Sequence, residues 1–155
     1  MSDNSVDKRT VLLIAVMGGL LIPFMSSSIV VALPAIGSEF AISTVLLNWI
    51  ATSFILTSAI FVVPFGRLAD IFGSKRIYFY GVITFTISSI MCSLSVNIFM
   101  LLAFRVLQGI GGAMMFGTGT AMLTSVYPPG ERGRVLGINI SAVYFGLSVG
   151  PFLGG

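Results

Sequence analysis

Arg105 is the residue in this chain best placed to do chemistry, because it stands inside an otherwise apolar stretch. A guanidinium at membrane depth costs at least about 2.5–3.5 kcal/mol even on a lenient insertion scale, so by default it marks a functional position. On a helix, Arg105, Gln108, Gly109 and Gly112 follow the i, i+3, i+4, i+7 rule and share one face. That polar, small-residue face should look into a helix bundle. The alternative is that Arg105, about two turns from Ile98, snorkels to the outer interface as an anchor.

Two other groups stand out. Residues 66–76 (Gly66-Arg67-Leu68-Ala69-Asp70-Ile71-Phe72-Gly73-Ser74-Lys75-Arg76) form a polar block between two apolar runs, with one carboxylate, Asp70, among three cations. Gly66 and Gly73 suggest a built turn there. Small residues also recur at four-residue spacing, as Gly109, Ala113, Gly117 and Ala121 and as Gly146, Gly150 and Gly154. Where apolar burial no longer drives association, such stripes let helix backbones approach closely. Gly150-Pro151 adds a bend, since proline removes a backbone hydrogen bond.

The rest of the chemistry is excluded by composition. The chain has no histidine and one cysteine, Cys92, inside an apolar run, and its few carboxylates are far apart. A zinc site or a nucleophilic triad has no parts to build from, so neither an enzyme nor a metal or other cofactor is expected. Gly109-Ile110-Gly111-Gly112 is not a dinucleotide loop, because no strand precedes it and no acidic residue follows at the required distance.

The elements that must position these residues are membrane helices. The chain is 56% hydrophobic and 8% charged, with mean hydropathy +1.07, whereas a soluble domain is roughly a quarter charged. About 20 apolar residues suffice to span a bilayer. The pattern predicts an all-α transmembrane bundle of about five spans, near 11–34, 44–65, 77–96, 98–126 and 135–155, with inner loops at 66–76 and 127–134. The first apolar run is too long for a secretory leader. Pro23 stands mid-span, and Ser26, Ser27 and Ser28 are expected to satisfy the carbonyl it frees. Thr52, Ser53, Thr57 and Ser58 either bond back to their own helix or line a polar path. Asn97 marks a tight outer turn.

Seven of the eight cations, Lys8, Arg9, Arg67, Lys75, Arg76, Arg132 and Arg134, fall on one side of this scheme. By the positive-inside rule that side is cytoplasmic, and so is the N-terminus of a multi-pass cell-membrane protein. The same asymmetry explains the basic isoelectric point near 9.4 without nucleic acid.

Three motifs carry a resemblance. Gly66-Arg67-Leu68-Ala69-Asp70 through Gly73 and Lys75-Arg76 resembles the signature between the second and third helices of the major facilitator superfamily. Leu101 to Arg105 with Gln108-Gly109 and Gly111-Gly112 is similar to its fourth-helix motif. Gly146-Leu147-Ser148-Val149-Gly150-Pro151-Phe152-Leu153-Gly154-Gly155 is similar to the fifth-helix motif found mainly in drug:proton antiporters. The resemblance covers essentially the whole chain and implies the N-terminal part of a secondary transporter that exports small amphipathic compounds in exchange for protons.

It also implies roles. Asp70 would latch the two transporter halves, in the cationic setting of Arg67, Lys75 and Arg76. Arg105, with Gln108 beside it, would face the central cavity and take part in proton coupling. Gly146, Gly150, Pro151 and Gly154 would let the halves rock. The chain departs from the pattern at Ile71 and Ser74, where basic residues are usual, and at residues 25–28, which lack the aspartate many drug antiporters carry. No Asp or Glu falls inside an expected span. Five helices are one short of a six-helix half, so the partners expected besides lipid, substrate and protons are the remainder of a longer transporter or a second copy. The competing readings are a truncated, non-transporting membrane protein and a metabolite facilitator without proton coupling.

Overall fold

The computed structural model describes residues 8–154. Five helices make up the fold: α1 (Lys8–Phe40), α2 (Thr44–Phe72), α3 (Ser74–Ser93), α4 (Ile98–Val126) and α5 (Pro129–Gly154). The protein is an all-α membrane bundle. Four helices are long and apolar enough to cross a bilayer on their own. The other, α3, has 20 residues with Lys75 and Arg76 in its first turn, and it lies along α4.

The organising element is α4. Of its most apolar stretch 56% is buried, against 17–22% in α1, α2 and α5. It packs against α3 on one side and α2 on the other, while α1 and α5 form the second major pair. A core of Val11, Ala15, Ile22, Phe54, Tyr78, Phe85, Met115, Met122 and Leu123 joins α1 to α4. Ile50, Ile98 and Leu101 form a smaller one toward the other end.

Glycine makes these approaches possible. A Cβ on Gly111 would stand 2.6 Å from Phe85 N and 3.0 Å from Gly81 O. On Gly109 it would stand 2.8 Å from Phe54 O, and on Gly117 3.1 Å from Val62 O. Cβ atoms on Gly146, Gly150 and Gly154 would collide with Leu20 O, Ser27 Oγ and Ser28 of α1. In lipid, contact at this range supplies the dispersion energy that solvent exclusion does not.

Several element boundaries differ from those expected. Residues 66–76 are not a loop: α2 runs through Asp70 to Phe72, α3 starts at Ser74, and only Gly73 intervenes. Gly73 adopts φ +92 and donates its N–H to Ala69 O at 2.9 Å, a turn that glycine makes without strain. The polarity of the block marks the edge of the hydrocarbon, not the end of the helix. At about 1.5 Å per residue, a 29-residue helix extends well beyond a core about 30 Å thick.

Residues 127–134 likewise shrink to a two-residue link. Pro129 opens α5, where its missing N–H costs nothing, and Glu131 in the first turn suits the helix dipole. The first helix runs past Pro34 to Phe40, with Pro23 and Pro34 both inside it. The α3 helix runs three residues earlier at each end than the span expected at 77–96. Asn97 does cap α4, its Oδ1 accepting from Met100 N at 2.8 Å. Gly155, the last residue of the expected fifth span, lies outside the described residues.

Contacts at the α3–α4 seam should therefore respond sharply to size. Gly111→Val should lower stability by about 1–3 kcal/mol. Gly137→Ala, with nothing within 4 Å of the new Cβ, should be neutral or raise it by up to about 1 kcal/mol. Thermal unfolding in detergent, followed by circular dichroism, reads both; equal effects would mean that the seam is loosely packed.

Candidate functional site

The site is built around Arg105, about 10 Å along α4 from Ile98 at the α-helical rise. Its side chain is 2% exposed. Nε donates to the backbone carbonyl of Ile50 at 3.0 Å, and Nη1 donates to Gln108 Oε1. Gln108, 1% exposed, passes the chain on, its Nε2 donating to Ser89 Oγ on α3 at 2.7 Å. The Phe54 ring covers the guanidinium, with Cζ 4.6 Å from the centroid, a cation–π contact strengthened by desolvation. Arg105 is thus held inside the bundle and does not snorkel to the outer interface.

Local sequence explains the arrangement. The i, i+3 spacing places Gln108 beside Arg105 on the buried face of α4. Gly109 and Gly112 share that face and bring α2 close enough to offer a main-chain acceptor and an aromatic ring. Ser58 Oγ closes the same seam by donating to Gly109 O at 3.0 Å. The α2 hydroxyls divide: Ser53 and Thr57 bond back to Ile50 O and Ser53 O, whereas Ser58 crosses to α4.

Arg105 and Gln108 open on one side to a cleft of about 230 Å³, lined also by Met25 and Ser28 of α1, Ser89 and Cys92 of α3, and Gly154 of α5. Among the described residues none of these is a carboxylate. The charge is balanced only by neutral acceptors, and because Arg105 and Gln108 are almost wholly buried, the surface of the cleft, which also includes Ile29 and Ala32, is mainly apolar.

The fifth-helix glycines are brought to this site through α1. Ser28 Oγ donates to Gly150 O at 2.9 Å, and Ser27 Oγ donates to Phe24 O at 3.1 Å and, weakly, to Gly146 O at 3.5 Å. Ser28, and weakly Ser27, therefore tie α1 to α5, and neither bonds the Gly19 carbonyl that Pro23 frees. Gly146 and Gly150 are buried against α1, Pro151 and the end of α5 are exposed, and the helix is continuous through Pro151.

The polar block lies at the opposite end of α4. Asp70, Gly73, Lys75 and Arg76 line a cleft of about 480 Å³ with Ser74, Met122 and Ser125, while Gly66 and Arg67 stand outside it. Arg67, Asp70, Lys75 and Arg76 are all exposed, and none has an ion-pair partner among the described residues. The block and the Arg105 site are thus two separate places.

Three structural groups carry no advance signal in the sequence. Tyr78 reaches across from α3 to donate its hydroxyl to Ile14 O at 2.8 Å, and Tyr127 donates to Lys8 O at 2.8 Å, so two phenols pin α1 at its start. Asn139 of α5 has a buried Oδ1 with no partner among the described residues, beside a cavity of about 30 Å³ lined by Gly18, Gly19, Tyr78 and Thr120. Gly18 and Gly19 leave room for the Tyr78 and Asn139 side chains, which a Cβ would strike. A tyrosine or asparagine near other apolar runs gives no hint of its partner when that partner is a backbone atom.

Comparison with known proteins completes the picture. The chain is 32% identical over 149 residues to the riboflavin transporter RibZ of Clostridioides difficile, covering 96% of this chain and 33% of that protein. It is 38% identical over 145 residues to the multidrug resistance protein Stp of Mycobacterium tuberculosis, covering 92% and 27%. It is 35% identical over 125 residues to a probable actinorhodin transporter of Streptomyces coelicolor, covering 81% and 22%. The chain spans a third or less of the length of these relatives. Residues 15–155 match the profile of the Major Facilitator Superfamily. With a helical bundle of the expected kind around a buried arginine, the chain belongs to the Major Facilitator Superfamily of membrane transporters, and it is not an enzyme.

Proposed function

We propose that the protein is the N-terminal portion of a secondary active transporter that exports small amphipathic compounds in exchange for protons by alternating access. The observation that carries this reading is the buried Arg105–Gln108–Ser89 chain at the edge of a cleft bounded by α1, α3, α4 and α5. A desolvated charge at that depth is costly unless it is used, and it faces a space large enough for part of a substrate. The relatives named for multidrug resistance and for actinorhodin transport support a small-molecule cargo.

In this mechanism Arg105 is a fixed cation that orients the polar or electron-rich part of the cargo, and Gln108 sets the direction of its guanidinium. The α1–α5 pair, joined by glycine contacts and the Ser28 bond, packs with α2, α3 and α4 into one bundle that rocks against the second half of the transporter. Asp70 acts at the other end as a latch toward the second half of the transporter, with Lys75 and Arg76 around the same cleft. The proton-binding carboxylate comes from the remainder of the transporter. The cation-rich end, where α1, α3 and α5 start and α2 ends, faces the cytoplasm.

A second reading has its own support. The similarity to a riboflavin transporter, together with helices whose carboxylates, Glu39, Asp70 and Glu131, all stand near their ends, favours a metabolite carrier without proton coupling. The two readings differ in whether a pH gradient drives movement.

Everted vesicles from cells expressing the complete gene test both. Dye uptake into the vesicle lumen driven by a pH gradient should fall about tenfold or more in Arg105→Ala, the loss of a hydrogen-bonded charge, and less in Gln108→Leu. Unchanged uptake in Arg105→Ala would remove the arginine from the mechanism, and cargo movement that ignores the pH gradient would favour the second reading. Asp70→Asn should impair transport while a reporter fused to the N-terminus stays cytoplasmic, because the orienting cations remain. A reversed reporter would make Asp70 a topological residue instead of a latch.

A further inference from the structure

Ser89 makes two bonds with one hydroxyl. Its Oγ donates to Phe85 O, one turn back on α3, at 2.7 Å, and accepts from Gln108 Nε2, also at 2.7 Å. A hydroxyl has a single hydrogen, and with that hydrogen committed to Phe85 O the side of Ser89 that meets Gln108 offers only lone pairs. An amide has one accepting and one donating end, so Gln108 meets Ser89 with its nitrogen and turns its oxygen to Arg105 Nη1. The guanidinium is donor-only and requires the same orientation. From Arg105 to Phe85 O the chain of bonds therefore runs in one direction.

The same turn of α3 holds the arginine from a second side. Phe85 packs edge-on against Phe54, with ring centroids 6.5 Å apart and planes at 71°, and Phe54 is the ring that covers the guanidinium. Phe85 is itself fixed, since its side chain is buried and a Cβ on Gly111 of α4 would stand 2.6 Å from its N. Gln108, at 1% exposed, has no water at hand to replace a lost acceptor. Without the Ser89 hydroxyl, Nε2 becomes a buried donor with nothing to bond, which costs more than the bond is worth. The amide relieves that cost by turning toward another carbonyl, and Arg105 Nη1 then loses its own acceptor.

We propose that Ser89 is a positioning residue for Arg105: it fixes which end of the Gln108 amide meets the guanidinium, so that α3 governs the direction of an arginine carried by α4. The effect on transport rests on the use of Arg105 proposed above, whereas the positioning itself does not.

Two readouts on the complete transporter separate these. Phenylglyoxal labelling of Arg105 in detergent, read by peptide mass spectrometry, tests the positioning, and dye uptake into everted vesicles tests its consequence. Ser89→Val and Ser89→Thr have the same shape and differ in the hydroxyl. Ser89→Val should label Arg105 about fivefold faster and lower uptake about fivefold, the worth of one hydrogen bond. Ser89→Thr, whose hydroxyl bonds back along the helix as serine's does, should keep Arg105 protected and restore uptake. Ser88→Ala removes a neighbouring α3 hydroxyl that bonds only to Thr84 O, and should change neither. Equal labelling in the Val and Thr variants, or as large a rise in Ser88→Ala, would overturn the proposal. A labelling contrast with no change in uptake would uphold the positioning and count against the proposed use of Arg105. Should a branched side chain at 89 unfold the protein, Ser89→Ala decides: it should speed labelling beside Gln108 but not in a Gln108→Glu background, because a carboxylate has no donating end to satisfy, and an equal rise in both backgrounds would overturn the proposal.

Discussion

One desolvated charge sets the terms for the bundle. Arg105 is buried within the bundle and meets no carboxylate among the described residues, so its guanidinium is satisfied by a main-chain carbonyl, an amide oxygen and an aromatic face. The carbonyl and the ring belong to α2, so both require α2 and α4 to lie very close. Gly109 and Gly112 supply that closeness, and Ser58 reinforces it from the other side of the seam. Removing one acceptor leaves a buried donor unpaired, which costs more than the net worth of the bond. The arginine therefore constrains α2 and α4 as much as they position it.

The rest of the architecture divides according to how helices associate when lipid replaces water. Seams that must be tight are lined with glycine: Gly81 and Gly111 between α3 and α4, Gly146 and Gly150 between α1 and α5. The seam between α1 and α3 is bridged by a phenol and left open to an apolar groove.

Much of this was legible in the chain of residues, for reasons that can be named. A cation in an apolar run is conspicuous, and the period of the helix then places Gln108 and the glycines beside it. The acceptor on Ile50 was not legible, since a backbone carbonyl has no side-chain signature, and the same holds for the partners of Tyr78 and Tyr127. The block at 66–76 was read as a loop because polarity reports where the hydrocarbon ends, whereas the helix ends only where Gly73 turns the chain. Small-residue spacing announced that α5 packs closely on something. It could not announce that the partner is α1, or that Ser28 would bond the carbonyl of Gly150.

The most direct test of the sequestered guanidinium is chemical. Phenylglyoxal labelling of the protein in detergent micelles, read by peptide mass spectrometry, compares Arg105 with the exposed Arg67, Arg76 and Arg134. Arg105 should stay unmodified under conditions that label the other three, and should become reactive only on unfolding. Labelling of Arg105 at the rate of the exposed arginines would mean that it reaches water at the membrane surface, and would contradict a bundle organised around it.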